Sequence, residues 1–336
     1  MTQNYETDIT VIGAGPAGLF SVFEAGMLGY TCTIIDSLPE IGGQLSALYP
    51  EKPIYDIPGH PTILAKDLAL NLEKQMMPFK PNVLLGDPAS SVTKNDGTFT
   101  ITCGQNEIKS KCLIVAGGGG MFTPRKPPLQ NITDFEEKSV FYAVKNKAQY
   151  TDKTVVIAGG GDSAVDWAVE LAEIAKHVHI IHRRPEFRAA EGTVQKMNDF
   201  VNTGKITLHT PCQLSALHGE NGQISSIDIA NLEKEVHTVD ADYLLCFFGI
   251  SPTLGPIAEW GLEVEKKKIN VDSTTMKTNV EGILCVGDMA HYEGKIELIL
   301  TGFAESAVAA RTAQSIIEPD KKFRVKYSTS MGVPTT

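Results

Sequence analysis

The chain has 336 residues, a formal net charge of −10 and a hydrophobic fraction of 42%, which is enough for two domains that each bury a core. The acidic balance argues against a nucleic-acid partner, because a phosphate backbone is bound by a basic surface. No apolar run approaches the length of a membrane span, and the polar N-terminal segment has no features of a targeting peptide. We therefore expect a cytoplasmic protein without a membrane partner.

The first predicted elements are a strand, a glycine-rich turn and a helix over residues 7–28, followed by a strand that ends at Asp36. The turn reads GAGPAG, and Gly13, Gly15 and Gly18 have the spacing of a dinucleotide-binding turn. Asp36 lies 23 residues after Gly13, where a carboxylate accepts hydrogen bonds from ribose hydroxyl groups and repels a 2′-phosphate. The turn therefore suits FAD or NAD.

The next segment, residues 41–61, is rich in glycine and proline and predicts irregular loops. A helix is predicted over residues 64–77. Three alternating segments, SSVTK, TFTITC and EIKSK, then predict a small antiparallel meander that leads into the buried strand CLIVA.

The second half repeats this order, beginning with VVIAGGGDSA and the strand VHIIHRR. His182 lies 23 residues after Gly159, which is the spacing of the first copy. Cationic side chains replace the carboxylate here, and the guanidinium fork of arginine suits a phosphate dianion, so this copy favours NADP over NAD. The residues predicted to bind NADP(H) are Gly159, Gly161, Asp162, Ser163, His182, Arg183, Arg184 and Arg188.

The remaining elements complete both copies of the pattern. A second meander is predicted within residues 206–239 from ITLHT, ISSIDIA and EVHTVD, and the buried strand DYLLCFFG follows it. EGILCVGD predicts a strand that ends at Asp288, and a long helix is predicted over residues 296–317. We assign these last elements to the first domain, so that the second domain is inserted into the first.

Asp288 indicates that the ligand of the first glycine turn is FAD and not a second nicotinamide nucleotide. A carboxylate at a helix start, after such a strand, lies near the ribityl hydroxyl groups of a flavin, and the helix N-terminus stabilises negative charge on a reduced flavin. We therefore predict an α/β fold of two Rossmann-like, three-layer (ββα) nucleotide-binding domains. The FAD-binding domain is expected to comprise residues 1–116 and 250–336 with a C-terminal tail, and the inserted NADP(H)-binding domain residues 117–249.

Cysteine and histidine give no sign of a further site. The six cysteines form no CxxC pair and lie mostly in apolar runs, so they are expected to be small buried side chains. His177 and His179 lie two residues apart, as metal ligands on a strand can, but no convincing further ligand is near them in the sequence. No metal is predicted.

The motifs GAGPAG, IGGQL, GGGDSA, HRRPEFR and TNVEGILCVGD together resemble, in order and over nearly the whole chain, the thioredoxin-reductase group of flavoproteins. Thioredoxin reductases carry a redox CxxC in the nicotinamide domain, whereas this domain contains only Cys212 and Cys246, far apart. The chain is more similar to the thioredoxin-reductase-like class of ferredoxin–NADP reductases, with which it shares GGGDSAVDWA, HRRPEFRA, GPIAEWGL and an STS tail.

This resemblance implies a homodimeric, FAD-dependent ferredoxin–NADP(+) reductase whose partners are NADPH and ferredoxin or flavodoxin. It implies that Tyr49 stacks on one face of the flavin, and that Tyr327 in the tail covers the other face, in the family from the partner subunit. The residues predicted to bind FAD, by the glycine turn or by the resemblance, are Gly13, Gly15, Gly18, Asp36, Gln44, Tyr49, Ala89, Phe122, Asp288 and Thr329.

The expected reaction is hydride transfer from the nicotinamide to flavin N5, followed by transfer of single electrons to the carrier protein. No acid–base pair is required, so no catalytic side chain is predicted. Two alternatives stay open. One is an NADPH-dependent disulfide reductase or a general flavin or quinone reductase of the diaphorase type, and the other is a non-catalytic module that senses NADP(H).

Overall fold

The computed structural model describes residues 3–321 and 328–334, without the side chains of Phe122, Thr123, Ile250, Pro252 and Met331. The chain divides into two compact units. Unit 1 comprises residues 1–122 and 252–336, and unit 2 comprises residues 123–251. Unit 1 is therefore built from two separate stretches of the chain, and unit 2 is a single stretch inserted between them in the sequence.

The strands are numbered in chain order. Before unit 2 they are β1 Asn4–Ile12, β2 Cys32–Asp36, β3 Pro53–Ile54, β4 Ile63–Leu64, β5 Asn82–Leu85, β6 Ala89–Asn95, β7 Thr98–Cys103, β8 Asn106–Val115 and, across the boundary, β9 Met121–Pro124. In unit 2 they are β10 Val140–Phe141, β11 Thr154–Gly159, β12 His177–Ile181, β13 Ile206–His209, β14 Cys212–Glu220, β15 Gln223–Asn231, β16 Val236–Asp240 and β17 Tyr243–Phe247. The remaining strands are β18 Ile250–Thr253, which crosses the second boundary, β19 Val264–Glu265, β20 Lys268–Asn270, β21 Ile283–Cys285 and β22 Ala290–His291.

The helices are α1 Pro16–Met27, α2 Gln44–Ala47, α3 Ala65–Met76, α4 Asp162–Ala172, α5 Glu191–Asn202, α6 Ile299–Ile317 and α7 Ser328–Met331. In the described part of the chain, short 3₁₀ turns occur at Met77–Phe79, Ile132–Asp134, Lys147–Tyr150, Gly255–Glu259 and Gly287–Met289. Among the described residues, no helix combines the length and the apolar character needed to cross a membrane.

The main sheet of unit 1 has the strand order β5-β2-β1-β8-β7-β6, and β21 pairs with the last three residues of β8, beyond those that pair with β7. The strands β5, β2, β1, β8 and β21 are parallel, while β6, β7 and β8 form an antiparallel meander. The parallel strands β2 and β21 and the second halves of β1 and β8 are buried apolar runs, as is expected for strands covered on both faces, whereas the edge strand β5 is half-buried. The βαβ unit, the first meander and the return of the chain to this sheet through β21 are as predicted.

The main sheet of unit 2 has the order β10-β17-β11-β12-β13, and every pair in it is parallel. A separate antiparallel meander is formed by β14, β15 and β16. The series β13-β12-β11-β17 matches the series β5-β2-β1-β8 of unit 1 strand by strand. The repeat predicted from the two glycine turns therefore extends to the topology of the sheets.

One predicted meander strand is instead part of the main sheet of unit 2. The segment ITLHT was expected to open the second meander, but its residues form β13 and pair in parallel with β12, with Ile206 opposite Val178. The strand follows α5, so it is the return strand of a β–α–β crossover from β12. In this edge strand Ile206 and Leu208 pack on the core of unit 2, while Thr207 and His209 alternate with them and are half-buried. This alternation of apolar and polar residues is the same as that of a meander strand.

Unit 2 also contains a row of four histidines, His177, His179, His209 and His237, which we call the histidine row. The nearest ring nitrogens of His179 and His209 lie 3.0 Å apart, and those of His209 and His237 lie 3.3 Å apart. Burial lowers the pKa of His177, His179 and His209, in the case of His179 to about 4. Within the described residues, no group of three or more His, Cys, Asp or Glu side chains is arranged to hold a metal ion.

The histidine row makes the stability of the fold depend on pH. Burial lowers the pKa of His179 from 6.5 to about 4, so between these values the unfolded chain binds a proton at this residue and the folded chain does not. The contribution of a neutral His179 to the unfolding free energy is therefore fully present above pH 6.5 and decreases as the pH falls towards 4. We expect the His179→Gln variant to lose less unfolding free energy between pH 7 and pH 5 than the wild type, by roughly 1 kcal/mol given its partial exposure.

Urea unfolding of the full chain at both pH values measures this difference. The control is His60→Gln, which removes an exposed histidine outside the row and should show the pH dependence of the wild type. Identical pH dependence in the wild type and the His179→Gln variant would show that the row does not exclude protons in the folded state.

Candidate functional site

A cleft in unit 1 lies at the carboxyl ends of four parallel strands, β1, β2, β8 and β21, and we call it the unit 1 cleft. In open parallel sheets, ligands bind beyond the carboxyl ends of the strands. Seven of the residues predicted to bind FAD line it: Gly13, Gly15, Asp36, Gln44, Tyr49, Ala89 and Asp288.

The glycine turn between β1 and α1 is shaped for a dinucleotide. Gly13 has a φ of +108°, and a Cβ atom there would lie 2.3 Å from the carbonyl oxygen of Ala116. A Cβ atom on Gly18 would lie 1.8 Å from the carbonyl oxygen of Gly13, so this glycine allows α1 to pack on β1. At Gly15 the nearest atom would be the Cα of Gly43, 4.0 Å away. The space at Gly15, in front of the N-terminus of α1, is open, and dinucleotide-binding folds place a diphosphate at this position.

Asp36 is held at the end of β2 by two backbone hydrogen bonds. The amide of Ala14 donates to Oδ2 at 2.6 Å, and the amide of Leu38 donates to Oδ1 at 2.8 Å. Burial raises the pKa of this carboxyl group, and the backbone hydrogen bonds oppose the rise. Each carboxylate oxygen keeps a lone pair, so the group is fixed in place and still able to accept two hydroxyl groups in the cleft.

Gln44, Tyr49 and Ala89 also line the cleft. A Cβ atom added at Gly119 would lie 3.4 Å from Nε2 of Gln44, so this amide lies against the glycine run that follows β8. Tyr49 is half-buried, and burial together with the negative charge of Asp288 raises the pKa of its hydroxyl group. The tyrosine is therefore expected to remain protonated and to offer a flat aromatic surface.

Asp288 lies in the 3₁₀ turn Gly287–Met289, directly after β21. Gly287 has a φ of +72°, and a Cβ atom there would lie 3.2 Å from the side chain of Ala17 on α1. This close approach brings the carboxylate of Asp288 to the cleft. Burial raises the pKa of the Asp288 carboxyl group, as does the negative charge of Glu297.

Of the predicted residues whose side chains the structure describes, Gly18 and Thr329 do not line the cleft. Gly18 packs between α1 and β1, and Thr329 is exposed on the short helix α7. The side chain of Phe122 and the whole of Tyr327 lie outside the described part of the chain. Further lining residues that were not predicted include Gly43, Gly117, Gly118, Gly120, Met289 and Gly302.

The second glycine turn, between β11 and α4, repeats this geometry in unit 2. Gly159 has a φ of +156°, and a Cβ atom there would lie 2.6 Å from a carbonyl oxygen of β17. Gly161 caps α4, whose first two residues, Asp162 and Ser163, are exposed. The Oδ1 atom of Asp162 accepts a hydrogen bond of 3.1 Å from the amide of Ala190.

The arginine loop, residues 183–188, is tied to this turn by its backbone. The amide of Arg188 donates a hydrogen bond of 2.7 Å to the carbonyl oxygen of Gly160, and Arg188 forms a parallel bridge with Gly161. The three arginine side chains of the loop are exposed. The loop therefore holds three cations next to the start of α4, and a helix N-terminus offers free N–H groups to a phosphate.

His182, at the end of β12, supports the loop. A Cβ atom on Gly160 would lie 2.3 Å from the imidazole ring, so the ring packs directly against this glycine. The ring stacks on Phe187 with 5.2 Å between centroids, and Nε2 donates to the carbonyl oxygen of Glu186 at 3.2 Å. Burial lowers the pKa of His182, and the neighbouring arginines lower it further. A neutral imidazole has one N–H, and in His182 this N–H donates to the carbonyl oxygen of Glu186 in the loop.

All six cysteines are buried and none forms a disulfide. Burial raises the pKa of every thiol, to about 12 for Cys32 and Cys112 and to about 11 for Cys103. Since the thiolate is the reactive form, these cysteines lack the environment of a redox pair.

We therefore expect Ellman's reagent to modify no thiol of the native chain within minutes, and all six thiols once the chain is unfolded in guanidinium chloride. The unfolded sample is the control for reagent and for thiol content. A thiol that reacts rapidly in the native chain would contradict this account and would make thiol chemistry available to the protein.

Comparisons with known proteins show the family of this chain. The family model described as pyridine nucleotide-disulphide oxidoreductase matches residues 7–311. The ferredoxin–NADP reductase of Rickettsia akari is 48% identical over 97% of this chain and 98% of its own length. The ferredoxin–NADP reductase of Anaplasma marginale is 48% identical over 97% of this chain and 100% of its own length.

Solved structures share the fold at lower identity. The thioredoxin reductase of Lactococcus lactis superposes with a TM-score of 0.75 at 23% identity, over 93% of this chain and 99% of that chain. The thioredoxin reductase of T. acidophilum gives a TM-score of 0.75 at 21% identity, over 92% of this chain and 98% of that chain. The chain therefore belongs to the ferredoxin–NADP reductases, within the pyridine nucleotide-disulphide oxidoreductase family.

Proposed function

We propose that this protein is an FAD-dependent reductase that moves electrons between NADP(H) and a small one-electron carrier protein, ferredoxin or flavodoxin. The observation that carries the proposal is the pair of glycine turns with opposite charge at equivalent positions, Asp36 after one and Arg183 and Arg184 after the other. Relatives about 48% identical over nearly their whole length bear the name ferredoxin–NADP reductase, which supports ferredoxin as the carrier.

We assign FAD to the unit 1 cleft. Gly15 leaves space for the diphosphate, the N-terminus of α1 offers backbone N–H groups to it, and Asp36 accepts the ribose hydroxyl groups. The chemistry that FAD supplies when bound is the acceptance of two electrons as a hydride and their release one at a time.

The flavin end of the cleft is assigned to Tyr49 and Asp288. The half-buried ring of Tyr49 provides a stacking surface, and the carboxylate of Asp288 accepts hydrogen bonds from hydroxyl groups of the ligand.

We assign NADP(H) to unit 2. The diphosphate lies at Gly161 and the start of α4, and the exposed guanidinium groups of Arg183, Arg184 and Arg188 bind the 2′-phosphate. The neutral ring of His182 holds the arginine loop against Gly160 and contributes through that placement.

The buried cysteines favour direct transfer of single electrons to the carrier over transfer through a dithiol. With the pKa of every thiol raised by burial, no cysteine is set up to attack a disulfide. A disulfide reductase would need a reactive thiol to pass electrons to its substrate, and none of the six cysteines has the environment for this role.

We also propose that the protein is a homodimer whose C-terminal tails cover the flavins. Thr329 is exposed on α7 and is not a lining residue of the unit 1 cleft, which is consistent with a role in an assembly. Sedimentation of the native chain as a dimer supports this proposal, and a monomer at micromolar concentration contradicts it.

Acceptor specificity tests the proposed function. The purified chain is supplied with NADPH and, in separate assays, with ferredoxin, flavodoxin, a quinone and an oxidised dithiol protein. We expect rapid reduction of ferredoxin or flavodoxin and none of the disulfide. Preferential reduction of the quinone or of the disulfide would favour the alternative reductases, and NADPH binding without any turnover would favour a sensing module.

A further inference from the structure

A buried carboxylate in unit 1 takes no part in the binding described above. Glu305, on α6, is 3% exposed. Its Oε2 accepts a hydrogen bond of 2.7 Å from the amide of Gly287, and its Oε1 accepts one of 2.6 Å from the hydroxyl group of Tyr292. The ammonium group of Lys295 donates to the same Oε1. One carboxylate therefore collects three donors.

The charges of Glu305 and Lys295 form a buried ion pair. Each of the two side chains is 4% exposed. Removing two charges from water costs more than a surface pair gains, and apolar residues of similar size often serve stability equally well. Stability alone therefore does not account for a charged pair at this position.

The three donors lie along one segment, residues 287–298, which connects β21 to α6. Glu305 binds the start of this segment at Gly287, its middle at Tyr292 and its later part at Lys295. The same segment contributes Gly287, Asp288, Met289 and Leu298 to the unit 1 cleft. The side chain of Glu305 thus holds the part of the cleft formed by residues 287–298 through three hydrogen bonds.

We infer that Glu305 is a positioning residue, which sets the affinity and the environment of the flavin by fixing the Gly287–Asp288 turn through its bonds to Gly287, Tyr292 and Lys295. This inference rests on the proposed binding of FAD in the unit 1 cleft. Glu305 acts through the turn, because the turn and not the Glu305 side chain lines the cleft.

The test compares two variants that each remove one negative charge. Glu305→Gln keeps the size of the side chain but places an amide beside the buried ammonium group of Lys295. Glu297→Gln removes an exposed carboxylate of the same segment, whose charge also acts on Asp288. The full-length, flavin-free chain is titrated with FAD, and the visible circular dichroism of the bound flavin is recorded as a second measure.

We expect Glu305→Gln to raise the Kd for FAD about tenfold and to change the visible circular dichroism, and Glu297→Gln to leave the Kd within about twofold. A wild-type Kd in the Glu305→Gln variant overturns the inference, as does an equal effect of Glu297→Gln, which would assign the effect to charge alone. A wild-type chain that binds no FAD overturns the proposed function together with this inference.

Should Glu305→Gln fail to fold, as judged by far-ultraviolet circular dichroism, Tyr292→Phe decides the question. This variant removes one of the three hydrogen bonds and keeps the ion pair. A Kd for FAD raised about threefold supports the inference, and an unchanged Kd overturns it.

Discussion

Replacing Arg183 and Arg184 together with alanine will raise the KM for NADPH by about two orders of magnitude, because a charge-assisted hydrogen bond to phosphate contributes roughly 1.5–3 kcal/mol. The KM for NADH, which has no 2′-phosphate, will change by less than about threefold. At saturating NADPH, kcat will stay close to the wild-type value, because these bonds are equally strong before and during hydride transfer. Steady-state rates with an artificial electron acceptor measure all three quantities.

Lys196→Ala is the matched control, since it removes an exposed cation of α5 in the same unit. It should leave both KM values unchanged. A double arginine variant in which the KM values for NADPH and NADH rise together would show that the arginine loop does not recognise the 2′-phosphate.

Replacing Gly15 with alanine will remove FAD binding while leaving the flavin-free fold intact. A Cβ atom at this position finds no atom closer than 4.0 Å, and the backbone angles of Gly15, φ −75° and ψ −179°, suit alanine. The added methyl group occupies the space proposed for the diphosphate, so the Kd for FAD should rise by about two orders of magnitude or more. The unfolding free energy of the flavin-free chain should change by less than about 1 kcal/mol.

Gly18→Ala is the contrasting variant, because its Cβ atom would lie 1.8 Å from the carbonyl oxygen of Gly13. The helix α1 cannot stay in place, and the flavin-free chain should lose roughly 3 kcal/mol of unfolding free energy. Denaturant unfolding and FAD titration of both variants separate the two effects. Equal destabilisation by both substitutions, or normal FAD binding in Gly15→Ala, would contradict the roles given to these glycines.

Much of the fold could be predicted because its signals are local. The glycine spacing around Gly13 and Gly159, the apolar strands and the alternating meander segments each lie within a few tens of residues. The repeated order of these signals predicted the duplicated sheet that β5-β2-β1-β8 and β13-β12-β11-β17 form. The assignment of ITLHT was wrong because an edge strand of a parallel sheet and a meander strand have the same alternation, and only the preceding crossover distinguishes them.

The details that the sequence could not predict depend on contacts between distant residues. His182 was expected to bind phosphate, and nothing in the sequence indicates that its ring packs on Gly160, 22 positions earlier. The histidine row joins residues of β12, β13 and β16, which only the folded unit brings together.

One local feature of the sequence points to a special role for Glu305. It is a single carboxylate in the otherwise apolar stretch ILTGFAESAVAA, and a charge at such a position is rarely buried without a partner. Its partners, Gly287, Tyr292 and Lys295, lie 10 to 18 residues away in an irregular segment. Their identity therefore required the structure.

We propose that NADPH transfers a hydride to a flavin on this chain, and that its two electrons then leave one at a time to two carrier molecules while the proton is released. The visible spectrum of the purified protein, recorded anaerobically before and after NADPH and again after oxidised ferredoxin, tests this claim most directly. We predict a yellow protein whose flavin band disappears on addition of NADPH and returns when ferredoxin is added. A colourless protein, or a flavin band that NADPH does not bleach, would contradict the account.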